Sequence, residues 1–281
     1  VGLFYFCKRL PNGSGAKIYS AITPLPLVRP FGLLLNPMRS VRLFLLFAAG
    51  LSFLPTPRAQ AIEHRYLNWF TYFAQYRLSK HWSIHVDAQF RTDGKVHQTQ
   101  QSLLRAGLQY LLSANTNLTL GYALIGTYSA AANGYFGEHR LWQQYLHTSS
   151  LGTGVLMTHR LRLEERWVGS TDGSGGRRNG FRLRYFNRTI INLSKRETAW
   201  ARPYLALQNE LFINSASPDI NPHTFDQNRL LIAVGVLNNR HTRLELGYMN
   251  QYLNPPGRVD IANHILHFSL LQTLNFTATE F

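Results

Sequence analysis

Trp82-Ser83-Ile84-His85-Val86-Asp87-Ala88-Gln89-Phe90-Arg91 is the stretch on which the fold turns. Ile84, Val86, Ala88 and Phe90 share one face, while Ser83, His85, Asp87, Gln89 and Arg91 share the other. A period of two is the signature of a β-strand with two unlike sides, because successive side chains point to opposite faces. The same split recurs downstream. Leu104, Ala106, Leu108, Tyr110 and Leu112 oppose Arg105, Gly107 and Gln109. Leu118, Leu120, Tyr122 and Leu124 oppose Thr119, Gly121 and Ala123; Leu161, Leu163 and Trp167 oppose Arg160, Arg162, Glu164 and Arg166. Near the end, Leu266, Phe268, Leu270, Leu274 and Phe276 oppose His267, Ser269, Thr273 and Asn275.

Eleven such segments are readable: 66–78, 82–92, 98–112, 117–129, 138–149, 156–169, 180–192, 200–213, 225–237, 241–252 and 262–276. Most exceed the ~5–6 residues usual for globular strands and reach the ~9–11 that a membrane-crossing strand needs. Short connectors (79–81, 113–116, 193–199, 238–240) alternate with longer ones rich in Gly, Asn and Pro (near 130–137, 170–179, 214–224 and 253–261). Short turns at one rim and long loops at the other are the pattern of an outer-membrane barrel. The expectation is an all-β fold, a transmembrane antiparallel up-and-down β-barrel. Bacterial single-chain barrels have even strand numbers, so eleven segments imply about 12 strands, with ten as the alternative and Ile62–Leu78 the place where the count goes wrong.

A soluble sandwich or lipocalin-like barrel alternates in the same way. Three features favour the membrane. Polar faces are dominated by Arg, aromatics recur near strand ends (Trp69, Trp82, Tyr110, Trp142, Trp167, Trp200, Tyr248, Tyr252), and an export signal precedes the strands. Composition agrees: charged residues make up 15% and aromatics 13% of the 281 residues. The single cysteine, Cys7, excludes a disulfide framework and a multi-cysteine zinc site.

The export signal opens at Met38, with Arg39 and Arg42 ahead of the apolar run Leu43–Leu54 and then Ala59-Gln60-Ala61. A basic start, an apolar run too short to span a bilayer and a small-x-small end make a cleaved signal peptide over 38–61. Residues 1–37 lack acidic residues and any period, and read as a mis-translated, disordered upstream extension. The barrel domain is then 62–281. Seven of the basic residues lie in the removed part, so about half of the formal net charge of +15 goes with it. Export and that loss argue against nucleic-acid binding.

Several stretches resemble an uncharacterised family of bacterial outer-membrane proteins, the domain of unknown function 2490. They are the opening around Trp69 with Leu78-Ser79-Lys80-His81-Trp82, then Glu138-His139-Arg140-Leu141-Trp142-Gln143-Gln144 and Arg162-Leu163-Glu164-Glu165-Arg166-Trp167. Phe181-Arg182-Leu183-Arg184-Tyr185, Asn209-Glu210-Leu211-Phe212 and Phe225-Asp226-Gln227-Asn228-Arg229 follow in order. The resemblance spans nearly all of 66–276. It implies a barrel in the outer membrane of a Gram-negative bacterium, porin-like in build, and supplies no reaction. Implied partners are outer-membrane lipid and the barrel-assembly machinery, to which Phe276 or Phe281 would present a terminal aromatic.

Strand phase points Arg77, Arg91, Arg105, Arg140, Arg160, Arg162, Arg166, Arg182, Arg184, Arg188, Arg229 and Arg243 into the lumen, with Asp87, Glu164, Glu210 and Glu245. The leading expectation is a salt-bridge-filled interior, since the planar Arg fork pairs carboxylates on neighbouring strands. Glu164, flanked by Arg162 and Arg166 and facing Arg182 and Arg184 on the next strand, would anchor a cross-strand ladder, with Glu210 doing the same one strand on. The alternative is a narrow anion-selective pore or transporter for small acidic solutes, because Arg outnumbers the acids. A third class, a lipid-modifying hydrolase, would draw on His139, His147, His159 or His264 with Ser149, Ser150 or Ser170. Gly-x-Ser-x-Gly is missing from 62–281, and the histidines lack metal-ligand spacing. Neither an enzyme nor a cofactor is expected, and Gly152-Thr153-Gly154 reads as a turn. On the membrane term alone, outward Leu120→Arg and Leu246→Arg are expected to cost more than inward Thr119→Arg and Gly247→Ser.

Overall fold

A computed structural model describes residues 61–130, 132–170, 176–194, 201–215, 218–238, 241–257 and 259–276. Nearly all of the expected signal peptide, the upstream extension, Cys7, Trp200 and Phe281 lie outside the described residues.

Eleven strands are found among the described residues, each at a segment read from the period-two pattern. They are β1 (Ile62–Arg77), β2 (Trp82–Asp93), β3 (Thr99–Leu111), β4 (Thr116–Ser129), β5 (Gly134–Ser150), β6 (Val155–Gly169), β7 (Arg177–Asn192), β8 (Ala201–Ser215), β9 (Phe225–Asn238), β10 (Thr242–Leu253) and β11 (Asp260–Asn275). They form one closed barrel in which every strand pairs with its sequence neighbours. Closure leaves no sheet edge with unpaired backbone groups. All hairpins are antiparallel, as at Asp87↔Arg105 between β2 and β3 and Leu108↔Leu120 between β3 and β4.

The expected even count gives way at the seam. β1 and β11 pair in parallel over their full length, from Ile62↔Asp260 to Arg77↔Asn275. An up-and-down meander of odd number returns its last strand in the direction of its first, so it closes only through a parallel pair. No twelfth strand is needed. The chain therefore enters β1 at the long-loop rim and leaves β11 at the short-turn rim. Stacked Phe70 and Phe268, 5.3 Å apart between ring centroids, cover the outside of that seam.

Turn chemistry fixes the short rim. Ser79 Oγ accepts from the Trp82 amide at 3.1 Å, closing the β1–β2 turn. Gly154, at φ +82°, sits in the left-handed region of the turn from Ser150 to Val155, a conformation in which glycine carries no Cβ penalty. The Gly152–Gly154 stretch is thus a turn.

Inside and outside are inverted relative to a soluble barrel. Outward side chains are apolar and open: Leu108 is 51% exposed, Leu120 55%, Ile232 52% and Leu246 45%. Inward ones are polar and buried, including Asp87, Arg105, Arg140, Arg162, Glu164, Arg184 and Glu210. Part of the interior is apolar as well. Trp69, Tyr204, Ala206, Leu231, Ala233, Met249 and Ile265 form one inner cluster, and Leu103, Ala123, Ile125 and Trp142 another.

Glycines on neighbouring strands make room for the large inner rings. A Cβ on Gly121 would lie 2.3 Å from the Trp142 ring, and one on Gly107 2.8 Å. Gly235 does the same for Tyr204, also at 2.3 Å. Thr119 is buried beside Gly107 in the Trp142 packing, and a Cβ on Gly247 would meet that of Ala233 at 2.5 Å. Inward Thr119→Arg and Gly247→Ser therefore carry a packing cost in addition to the membrane term, since these lumen positions are filled.

Candidate functional site

Strand phase places the charged side chains in the lumen, and register decides which of them meet. Glu164 on β6 lies opposite Arg182 on β7, with Arg162 opposite Arg184 one pleat along. Arg182 Nη2 donates to Glu164 Oε2 at 2.6 Å and Arg184 Nη1 to Glu164 Oε1 at 2.5 Å. Arg140 on β5 approaches the same carboxylate at 3.7 Å. Arg184 turns its other edge to Glu210 on β8, donating through Nη2 at 2.6 Å and Nε at 3.0 Å. Arg160 donates to the same oxygen of Glu210 at 2.5 Å, and Arg229 stands 3.9 Å from the other. Glu164 and Glu210 each hold guanidiniums from more than one strand, which is the ladder geometry expected of them.

Two anchors of this network were not among the residues phased inward from sequence. Glu138 accepts from Arg140 Nε at 2.7 Å and from Arg166 Nε at 2.5 Å. Asp226 accepts from Arg182 Nη1 at 2.9 Å. Glu138 shares the parity of Arg140 two residues on and was readable by the same rule. Asp226 has the outward parity of β9 and reaches the lumen from the second residue of the strand, so periodicity gives no sign of it.

Arg162 and Arg166 point inward but do not pair with Glu164 on their own strand. Arg166 goes to Glu138, and Arg162 donates only to the Gln144 side-chain carbonyl, at 2.6 and 3.0 Å. Glu245 is engaged apart from the ladder: it accepts from Arg188 and, at 2.7 Å, from the Tyr204 hydroxyl. Arg243 is half-buried near the turn rim and makes no salt bridge among the described residues. Asp87 and Arg105 form a separate pair at 2.8 Å.

Aromatic faces take the remaining guanidinium surface. Arg91 lies 3.7 Å over Trp69, with Arg229 4.9 Å from the same ring. Arg162 lies 4.4 Å from Trp142, and Arg184 and Arg229 lie 4.4 and 4.6 Å from Phe212. A guanidinium over a ring face gains from the ring quadrupole and keeps its in-plane N–H groups free to donate.

The two ends of the lumen differ. Toward the long-loop rim, Glu138, Arg140, Arg166 and Arg182 are buried with Gln227, Gln251 and Asn263, which are linked as an amide ladder at 2.5 and 3.0 Å. Toward the short-turn rim lies a cavity of about 350 Å³ whose floor includes Arg105, Arg160, Arg162, Arg184 and Glu210. Thr148, Thr158 and Thr273 stand at its mouth and Arg188 and Arg243 on its wall.

The family described as "Protein of unknown function (DUF2490)" matches residues 67–262. The chain belongs to the DUF2490 family. That match runs from within β1 to the start of β11 and takes in the whole of β2 to β10. Among solved structures, the NanC porin in a rhombohedral crystal form is similar at 11% identity over 66% of this chain and 80% of that one, with a TM-score of 0.41. No curated protein matches the chain.

The hydrolase candidates of this DUF2490 barrel are dispersed. His139 bonds Tyr122, His147 bonds Thr116, His159 bonds Tyr185, and His264 bonds His64 and Tyr248. Ser149 and Ser150 donate to the backbone carbonyls of Met157 and Gly152, and Ser170 lies at the end of β6. Among the described residues no group of three or more His, Cys, Asp or Glu side chains is placed to hold a metal ion.

Proposed function

We propose that this protein is an integral outer-membrane barrel of a Gram-negative bacterium, without catalytic activity, whose lumen is closed to passage by its own ion pairs. The observation that carries this reading is the inversion of faces: leucines open to the outside and a buried Arg/Glu network within. Exposed apolar area of this extent has no place on a soluble monomer, whereas a lipid-facing belt demands it. Tyr–His pairs with a polar tip sit at outward positions toward both rims, Tyr122–His139 and Tyr248–His264 at 2.6 Å by the loops and His159–Tyr185 at 2.9 Å by the turns. Such amphipathic rings suit the membrane–water boundary. Short turns face the periplasm in barrels of this kind, which opens the cavity to that side. Lipid is the surrounding partner, and exposed Phe276 would meet the assembly machinery during insertion.

Closure follows from the loop-side packing. Glu138, Arg140, Arg166 and Arg182 are all buried there, which supports a plug with little room for a hydrated ion. Planar-bilayer recording of refolded 62–281 tests this. The expected trace holds no steady unitary steps in symmetric salt. Regular steps with an anion-biased reversal potential would replace the closed barrel with the anion-selective pore.

A further inference from the structure

The floor of the turn-side cavity is short of negative charge. Arg105, Arg160, Arg162, Arg184 and Arg229 line it, and Glu210 alone among the lining carboxylates reaches them. Asp87 and Glu164 stand behind Arg105 and Arg184. Arg162 has no carboxylate within salt-bridge distance among the described residues. It is 1% exposed, it donates only to a neutral amide, and its Nη1 is buried without a hydrogen-bond partner. Arg105 Nε, Arg160 Nε and His85 Nε2 around the same cavity are likewise buried and unpartnered. Arg does not shed its proton in proteins, so a buried guanidinium with no counter-charge calls for one from outside. Three unmatched guanidinium nitrogens beside one cavity, with His85 Nε2 next to them, are a donor set awaiting an acceptor.

We infer that the blind end of this cavity is a binding site for a small oxyanion solute, one carrying a phosphate or two carboxylates, seated on Arg162 with Arg105 and Arg160 beside it. The volume of about 350 Å³ is within the range of small-ligand sites. Planar forks already stacked on Trp142 and Phe186 are held in place to receive bidentate oxygens. The inference rests on the lumen being blind, as proposed above. Conductance tests the blind end, whereas anion titration tests the site.

The test is thermal unfolding of the refolded barrel in detergent, with chloride replaced by inorganic phosphate or by succinate at constant ionic strength. The wild-type midpoint should rise saturably with at least one oxyanion. Gln144→Glu places a carboxylate where Arg162 now meets an amide. It should raise the midpoint in chloride and weaken the oxyanion response roughly tenfold or more. Arg162→Gln should lose the response. A rise with phosphate alone assigns a phosphate-bearing solute, with succinate alone a dicarboxylate, and with both the shared oxyanion chemistry. A flat wild-type titration, or an equal rise in wild type and Gln144→Glu, overturns the site. The Gln144→Glu comparison decides the matter even where Arg162→Gln fails to fold.

Discussion

The loop-side and turn-side halves of the lumen are walled by the same residue types, yet one is packed and the other hollow. On the loop side Arg140, Arg166 and Arg182 meet Glu138, Glu164 and Asp226, and the space fills with direct ion pairs, while Arg91 lies over Trp69 and donates to Gln89 and Gln101. On the turn side Arg160, Arg184 and Arg229 crowd one carboxylate, Glu210, while Arg162 finds none. Paired charges can give up water and close on each other. Surplus charges of one sign hold a cavity apart, because desolvating them without partners costs more than packing returns. Around the ladder, the ratio of Arg to carboxylate separates the two halves.

The sharpest way to break the comparison is Glu164→Gln, which removes the carboxylate shared by Arg182 and Arg184. Unfolding free energy in lipid vesicles should fall by ~3–5 kcal/mol, the cost of stranding buried charges, with little dependence on added salt. A loss that vanishes in high salt would mean that the packed half is wet, since water and ions screen exposed pairs. Leu120→Arg should cost ~2–4 kcal/mol in the same titration, if Leu120 faces the bilayer midplane. An unchanged value would remove the lipid face from the account. Gly121→Ala probes the packing beside both halves, for its Cβ collides with Trp142. Overpacking of this kind costs ~1–3 kcal/mol, read as a lowered denaturant midpoint with an unchanged slope. Arg243→Gln, half-buried on the cavity wall and without a salt bridge among the described residues, should change stability by less than ~1 kcal/mol, as a water-screened unpaired charge contributes little. It sharpens the contrast by showing that the turn side tolerates losing charge.

How much of this was legible in the sequence differs by level. Strand positions and faces were legible because alternation is a property of single residues: Ile84 and Asp87 declare their sides without knowledge of any neighbour. The parallel seam was not, since β1–β11 pairing joins residues some two hundred positions apart and no local pattern encodes it. Glu164 and Glu210 as anchors followed from parity together with strand adjacency. The partners of Arg162 and Arg166 did not, because long side chains choose among several acceptors one or two pleats away. Residue type alone gives no sign of how tightly inward Thr119 and Gly247 are packed. Only the rings folded over neighbouring glycines show that the space is taken.

Side-resolved thiol labelling tests the central contrast most directly. Cys7 is the only cysteine in the sequence, so residues 62–281 carry no competing thiol. Thr158→Cys places a thiol at the mouth of the turn-side cavity, and Gln227→Cys places one in the packed loop side. A membrane-impermeant anionic thiol reagent, added to each side of oriented vesicles, should modify Thr158→Cys rapidly from the turn side and slowly from the loop side. Gln227→Cys should resist it from both. Rapid modification of Gln227→Cys, or equal labelling of Thr158→Cys from both sides, would contradict a lumen closed by its loop-side ion pairs.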